Sequence, residues 1–203
     1  MKLVRAFPIL LVSLLSIDCS HKKSAFESPS ISITNNQFDL HLPKDMSKAL
    51  KKLNNRFTAW KTTDYASYVR KEVLSSHDLR RAPFALVFDI NRDGILDVVI
   101  DGHDDKSAIL ICIYSTPKGF TAVELINSEL FSPKSIENYD DGKQDFGIPY
   151  FLWPPNLTAD KPQPSTFSVA YPQPLDKFGK ECGDASLIDY SFKNGSIVEE
   201  TAM

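Results

Sequence analysis

The chain predicts an α+β fold: an N-terminal amphipathic helix packed on a mainly antiparallel β-sheet, with one calcium loop between two strands. Three observations carry this. Asp45–Trp60 repeats apolar residues at helical spacing. Phe84–Phe88, Leu96–Ile100 and Ala108–Tyr114 are short runs rich in branched and aromatic residues. Between the first two of these runs stands an alternating acidic stretch closed by a glycine.

In the helix, Met46, Leu50, Leu53, Phe57 and Trp60 recur at steps of four and three, on one face. Lys48, Lys51, Lys52 and Asn55 fall elsewhere and meet water, and Pro43 and Asp45 supply a start signal. Tyr65–Leu74 reads as a second, shorter helix with Tyr65, Tyr68, Val69 and Val73 on its apolar side. The three strand runs are nearly continuous rather than alternating, so both of their faces should be covered. Pro117-Lys118-Gly119 is a turn into Phe120–Ile126, which makes a β-hairpin with the preceding run. Phe131–Asp145 is polar and reads as irregular, and Ile148–Trp153 is apolar again. Six prolines between Pro154 and Pro174 lack the ladder donor, so this region reads as loop and edge. Asn194-Gly195 between Ser186–Phe192 and Ser196–Glu200 is a hairpin signal.

Composition excludes more than it identifies. The 203 residues suit one domain, and 23 basic against 26 acidic residues give a net charge of −3. That balance excludes a typical nucleic-acid binder. Three cysteines are too few for a disulfide scaffold or a four-thiolate zinc site. His21, His41, His77 and His103 are scattered without zinc spacing. No nucleophile elbow, phosphate-cradling glycine loop or catalytic Cys-His signature is present.

Residues 1–19 read as a signal peptide: Lys2 and Arg5 precede the apolar run Ala6–Ile17. An uncleaved anchor or a buried helix is the alternative. Cys19 follows at once and resembles the lipidation site of bacterial lipoproteins, with Ser16 and Asp18 where that family has a large aliphatic and a small residue. Cleavage near Ser20 without lipidation is the other reading. Residues 20–38, rich in Ser, Lys and Asn, read as a flexible tether, and 39–203 as a single domain. The expected location is the periplasm, the outer membrane through a lipid, or the cell surface. In an oxidising compartment Cys112 and Cys182 can pair. Cys112 sits in a very apolar run, so a buried free thiol is the competing reading.

The stretch with chemistry is Asp89-Ile90-Asn91-Arg92-Asp93-Gly94-Ile95-Leu96-Asp97. Alternate spacing lets Asp89, Asn91 and Asp93 point inward from a tight loop. Gly94 permits the sharp turn. The Ile95 carbonyl and the Asp97 carboxylate add two more oxygens. Ca²⁺ is a hard cation that takes about 6–8 oxygen ligands. The first half is similar to an EF-hand loop, but Ile100 stands where that loop has its bidentate Glu, and strands rather than helices flank it. The strand–loop–strand pattern D-x-[DN]-x-D-G-x-x-D resembles the FG-GAP/VCBS repeat, from Pro83 to Ile100, with residues 83–126 as the unit. That resemblance implies Ca²⁺ held by Asp89, Asn91, Asp93, Ile95 and Asp97. Propellers repeat about 4–8 blades; one loop and a helical N-terminal half fit a lone unit in a small domain better.

These readings lead to a non-enzymatic envelope or surface module that binds another macromolecule, with a structural ion and no membrane contact beyond a lipid anchor. The alternative is an envelope hydrolase using Asp101, Asp104 or Asp141 near the metal. Asp101, Asp104 and Asp105 with His103 otherwise read as a solvated turn or an extra metal contact.

Overall fold

The structure is a computed structural model. It describes residues 27–76, 78–129, 137–140, 143–154, 166–171 and 186–200. The signal peptide, Cys19, His77, Asp141 and Cys182 lie outside the described residues.

Two strands open the described chain, β1 (Ser30–Thr34) and β2 (Gln37–His41), paired antiparallel with Thr34 opposite Gln37. The tether expected over 20–38 is therefore wrong for residues 30–38. Asn35 and Asn36 hold φ of 52° and 59°, which suits a two-residue hairpin turn. Ile31 and Phe38 are buried, and the Phe38 N–H donates to the Thr62 hydroxyl at 3.0 Å.

Helix α1 covers Lys44–Leu53. Asp45 in its first turn and Lys51 and Lys52 in its last complement the helix dipole. It ends well short of Trp60, because Asn54 accepts the Arg56 N–H and donates to Asp104, offering the backbone an exit. Met46 is buried and Leu50 packs on the core, but Leu53 is 41% exposed. Phe57 and Trp60 reach the core from β3 (Thr58–Ala59) and its flanks instead. After a single 3₁₀ turn at Thr62–Asp64 comes α2 (Ser67–Ser75), which buries Val69 and Val73.

The central sheet holds six strands. β4 (Arg81–Ala82), β5 (Ala85–Phe88), β6 (Asp97–His103), β7 (Ser107–Thr116) and β8 (Gly119–Glu129) pair in that order, all antiparallel. β3 pairs with the far end of β6. Side chains alternate across the pleat. Ala85, Val87, Val98, Ile100, Ile111 and Ile113 join the helices and the β1–β2 hairpin in one cluster. Leu86, Phe88, Val99, Leu110, Cys112 and Tyr114 join a second cluster on the opposite face.

That second face is covered by β11 (Phe151–Trp153), β12 (Thr166–Tyr171), β13 (Ser186–Lys193) and β14 (Ser196–Glu200), a four-stranded antiparallel sheet. Leu152, Phe167, Val169 and Tyr190 are its contribution to the core. β12 is an inner strand where loop and edge were expected; it fits between Pro164 and Pro172, which flank it without interrupting the ladder. β9 (Glu137–Asp140) and β10 (Lys143–Phe146) also pair, inside the segment expected to be irregular. Asp141-Gly142 between them is a hairpin signal. The Asn194-Gly195 turn joins β13 to β14 as expected, with φ of 52° and 83°.

Cys112 is a free thiol, fully buried between the sheets. Burial pushes it well above the usual thiol value.

Candidate metal site

The loop Asp89–Leu96 joins β5 to β6 at one end of the central sheet. The strands fix its two ends, since Phe88 is paired with Asp97. Arg92 and Gly94 take the left-handed conformation, with φ of 61° and 84°, and this curls the intervening backbone N–H groups toward the acidic side chains. Asp89 accepts the N–H of Asp93 at 3.1 Å and of Gly94 at 2.8 Å. The Asn91 side-chain oxygen accepts the Asp93 N–H at 3.1 Å, and Asp93 accepts the Ile95 N–H at 2.9 Å.

Asp97 plays a different part. It is only 1% exposed. One carboxylate oxygen takes the Ile90 N–H at 2.9 Å, and the other takes the Ser115 N–H at 2.8 Å. It thus ties the loop to β7. Burial pushes this carboxyl up to about 7, and the charges of Asp89 and Asp93 add to the rise against the two N–H donors.

Ser115 is the residue that sequence reasoning missed. It is buried at the end of β7. Its hydroxyl donates to the Asp93 carboxylate, and its hydroxyl and carbonyl oxygens receive the Asn91 amide N–H₂ at 3.1 and 2.8 Å. That pins the Asn91 amide with its oxygen on the loop side. More than twenty residues separate these partners in sequence, and no local pattern announces the contact.

The donor set is all oxygen and carries three carboxylates, which suits a hard cation and not a thiolate- or imidazole-seeking one. A carboxylate has about four acceptor positions, so an oxygen holding one loop N–H keeps lone pairs for an ion. Among the described residues, no group of three or more His, Cys, Asp or Glu is gathered so as to hold a metal ion, so Asp89, Asp93 and Asp97 would have to draw closer together around one.

The acidic residues after the loop do not join it. Asp101, read from the sequence as part of a solvated turn, lies in β6 and is 2% exposed. It stands where the neighbour of β6 changes: its N–H bonds the Phe84 carbonyl at 2.8 Å and its carbonyl takes the Trp60 N–H at 3.2 Å. Its carboxylate accepts the Tyr65 hydroxyl at 2.8 Å. Burial pushes this carboxyl up to about 7, against the lowering by Tyr65, Tyr150 and the Gly102 N–H. The buried Trp60 indole N–H also favours the charged form, although it falls short of hydrogen-bond geometry. The same burial, with the Asp101 charge next in weight, holds the Tyr65 phenol well above its usual value. Asp104 is engaged with the N–H groups of Lys106 and Ser107, and Asp105 faces Arg56 at 3.4 Å. His103 leans against Trp60, with ring centroids 4.2 Å apart and the planes tilted by 35°.

No protein-family profile, curated protein or solved structure matches the chain.

Proposed function

We propose that this is an exported, non-enzymatic envelope or surface protein that binds another macromolecule, and that its β5–β6 loop takes one Ca²⁺ as a structural staple. Asp89, Asn91, Asp93 and Asp97 would hold the ion through side-chain oxygens and Ile95 through its carbonyl. The observation that carries the reading is the loop itself: alternating Asp89, Asn91 and Asp93, the left-handed Gly94, and Asp97 anchored on β7, all between antiparallel strands. This is the arrangement in which the sequence resembles an FG-GAP/VCBS unit. A divalent cation would offset the repulsion that Asp89 and Asp93 exert on Asp97. Export rests on the signal-like run Ala6–Ile17. A hydrolytic role has less behind it, since Asp101 is enclosed by Tyr65 and Asp104 is engaged in a turn.

The test is thermal unfolding of the chain with Ca²⁺ and with chelator. Extracellular-type loops bind with Kd of about 10⁻⁴–10⁻³ M. Ca²⁺ at about 10 mM then stabilises the fold by about 1.4–2.7 kcal/mol, or a Tm rise of roughly 3–10 °C for a chain of this size. Asp93→Ala abolishes the rise. A wild-type transition that ignores Ca²⁺ would overturn the proposal.

A further inference from the structure

The outer side of α1 carries four lysines. Lys44, Lys48 and Lys52 recur at steps of four, and Lys51 lies between the last two. This spacing places all four on one side of the helix, away from buried Met46. Lys118, in the turn between β7 and β8, comes to the same place: with Lys48 and Lys52 it lines a cleft of about 530 Å³. Ala49 and Phe120 supply its apolar lining, and Asp45 is its one carboxylate. A second hollow of about 230 Å³ adjoins it and is lined by Leu53 and Ala122. All five lysines are exposed. Among the described residues none of them is in an ion pair. Elsewhere Arg56, Arg80, Arg81 and Lys193 each face a carboxylate.

This concentration runs against the net charge of −3. From Lys44 to Lys52 the stripe is about 12 Å long at 1.5 Å per residue. One small anion would meet only part of it. A plane of anionic headgroups meets all of it at once, and the exposed Leu53 beside it suits the boundary between headgroups and acyl chains. We propose that the outer side of α1 and the β7–β8 turn dock on a bilayer surface carrying anionic phospholipid. The docking goes beyond the calcium reading and does not depend on it, because no residue of the cleft is a proposed ligand.

The experiment measures partition of the full chain onto vesicles of phosphatidylcholine alone and of phosphatidylcholine with phosphatidylglycerol. The apolar N-terminal run favours both kinds alike, and its basic flank with Lys2 and Arg5 is the same in every variant, so the fall in the ratio of the two partition constants from wild type to variant isolates the charge of α1. At low ionic strength the ratio should lie well above one, and it should collapse toward one at about 1 M salt, where the screening length is about 3 Å. Each lysine at such a surface contributes about fivefold, so Lys48→Glu with Lys52→Glu should lower the ratio at least about twentyfold. The same charge change made by Lys61→Glu with Lys106→Glu should leave most of it. Unchanged thermal transitions show that both variants fold. A wild-type ratio near one, or an equal loss in the two variants, would overturn the proposal. So would tight binding to inorganic polyphosphate without a vesicle preference, which would assign the cleft to a soluble polyanion.

Discussion

Replacing Asp101 by Asn should remove most of one pH dependence from the stability of the fold. Asp101 is enclosed, its carboxyl is raised from 3.8 to about 7, and the leading cause is burial. The native state therefore keeps this proton between about pH 4 and 7, whereas the unfolded chain has released it. Stability falls as pH rises through that window and is level above it. A rise of roughly three pKa units at about 1.4 kcal/mol each is worth about 4 kcal/mol. Asn cannot ionise, and its side-chain oxygen can still accept the Tyr65 hydroxyl. The assay is urea unfolding followed by far-UV circular dichroism from pH 4 to 7.5, on wild type and Asp101→Asn. Asp97 titrates in the same direction but is present in both proteins and cancels in the difference. Wild type should lose about 4 kcal/mol relative to the variant across the window. A difference that stays flat within about 1 kcal/mol would refute the argument that this carboxyl is buried protonated at mild acidity.

Two further outcomes follow from packing. A Cβ at Gly102 would lie 2.3 Å from the Thr58 carbonyl oxygen and 2.9 Å from the Ala59 Cα. Gly102→Ala should therefore force β3 off β6 and cost about 1–3 kcal/mol or more, read from the urea midpoint; an unchanged midpoint would show that β3 does not cross there. Native iodoacetamide labelling should spare Cys112, and labelling after denaturation without reductant should modify it, both read by peptide mass spectrometry. Recovery of Cys112 linked to Cys182 would contradict the free thiol.

That the central strands are covered on both faces is legible in the sequence, because burial on two faces leaves a plain mark, whereas the four-stranded sheet that covers one of them is not. The runs Phe84–Phe88 and Ala108–Tyr114 have no polar alternation, and the structure covers both of their sides. Turn chemistry is equally local, so Pro117-Lys118-Gly119 and Asn194-Gly195 place two hairpins correctly. What escaped was either weakly marked or non-local. Asn35-Asn36 sets the β1–β2 turn, yet its surroundings have the composition of a tether. β12 is only six residues long, in a proline-rich stretch. The helix period runs on through Leu53, while the side-chain bonds of Asn54 end the helix. The loop Asp89–Asp97 was visible as a pattern, but Ser115 reaches it from another strand. Asp101 reads as surface because its neighbours Asp104 and Asp105 are polar; the groups around its carboxyl, Tyr65, Tyr150 and the Trp60 indole, come from distant parts of the chain.

The placement of the two tryptophans gives the protein a pair of built-in optical reporters. Trp60 is 7% exposed, on the helix side of the central sheet, against the His103 ring. Trp153 is 38% exposed on β11 of the four-stranded sheet, with the Arg81 guanidinium 4.4 Å from its ring centroid. Replacing either by Phe leaves a single emitter in a known layer. Coincident fluorescence transitions in the two variants would mean that both layers melt as one cooperative unit, and separated transitions that the four-stranded sheet comes away on its own.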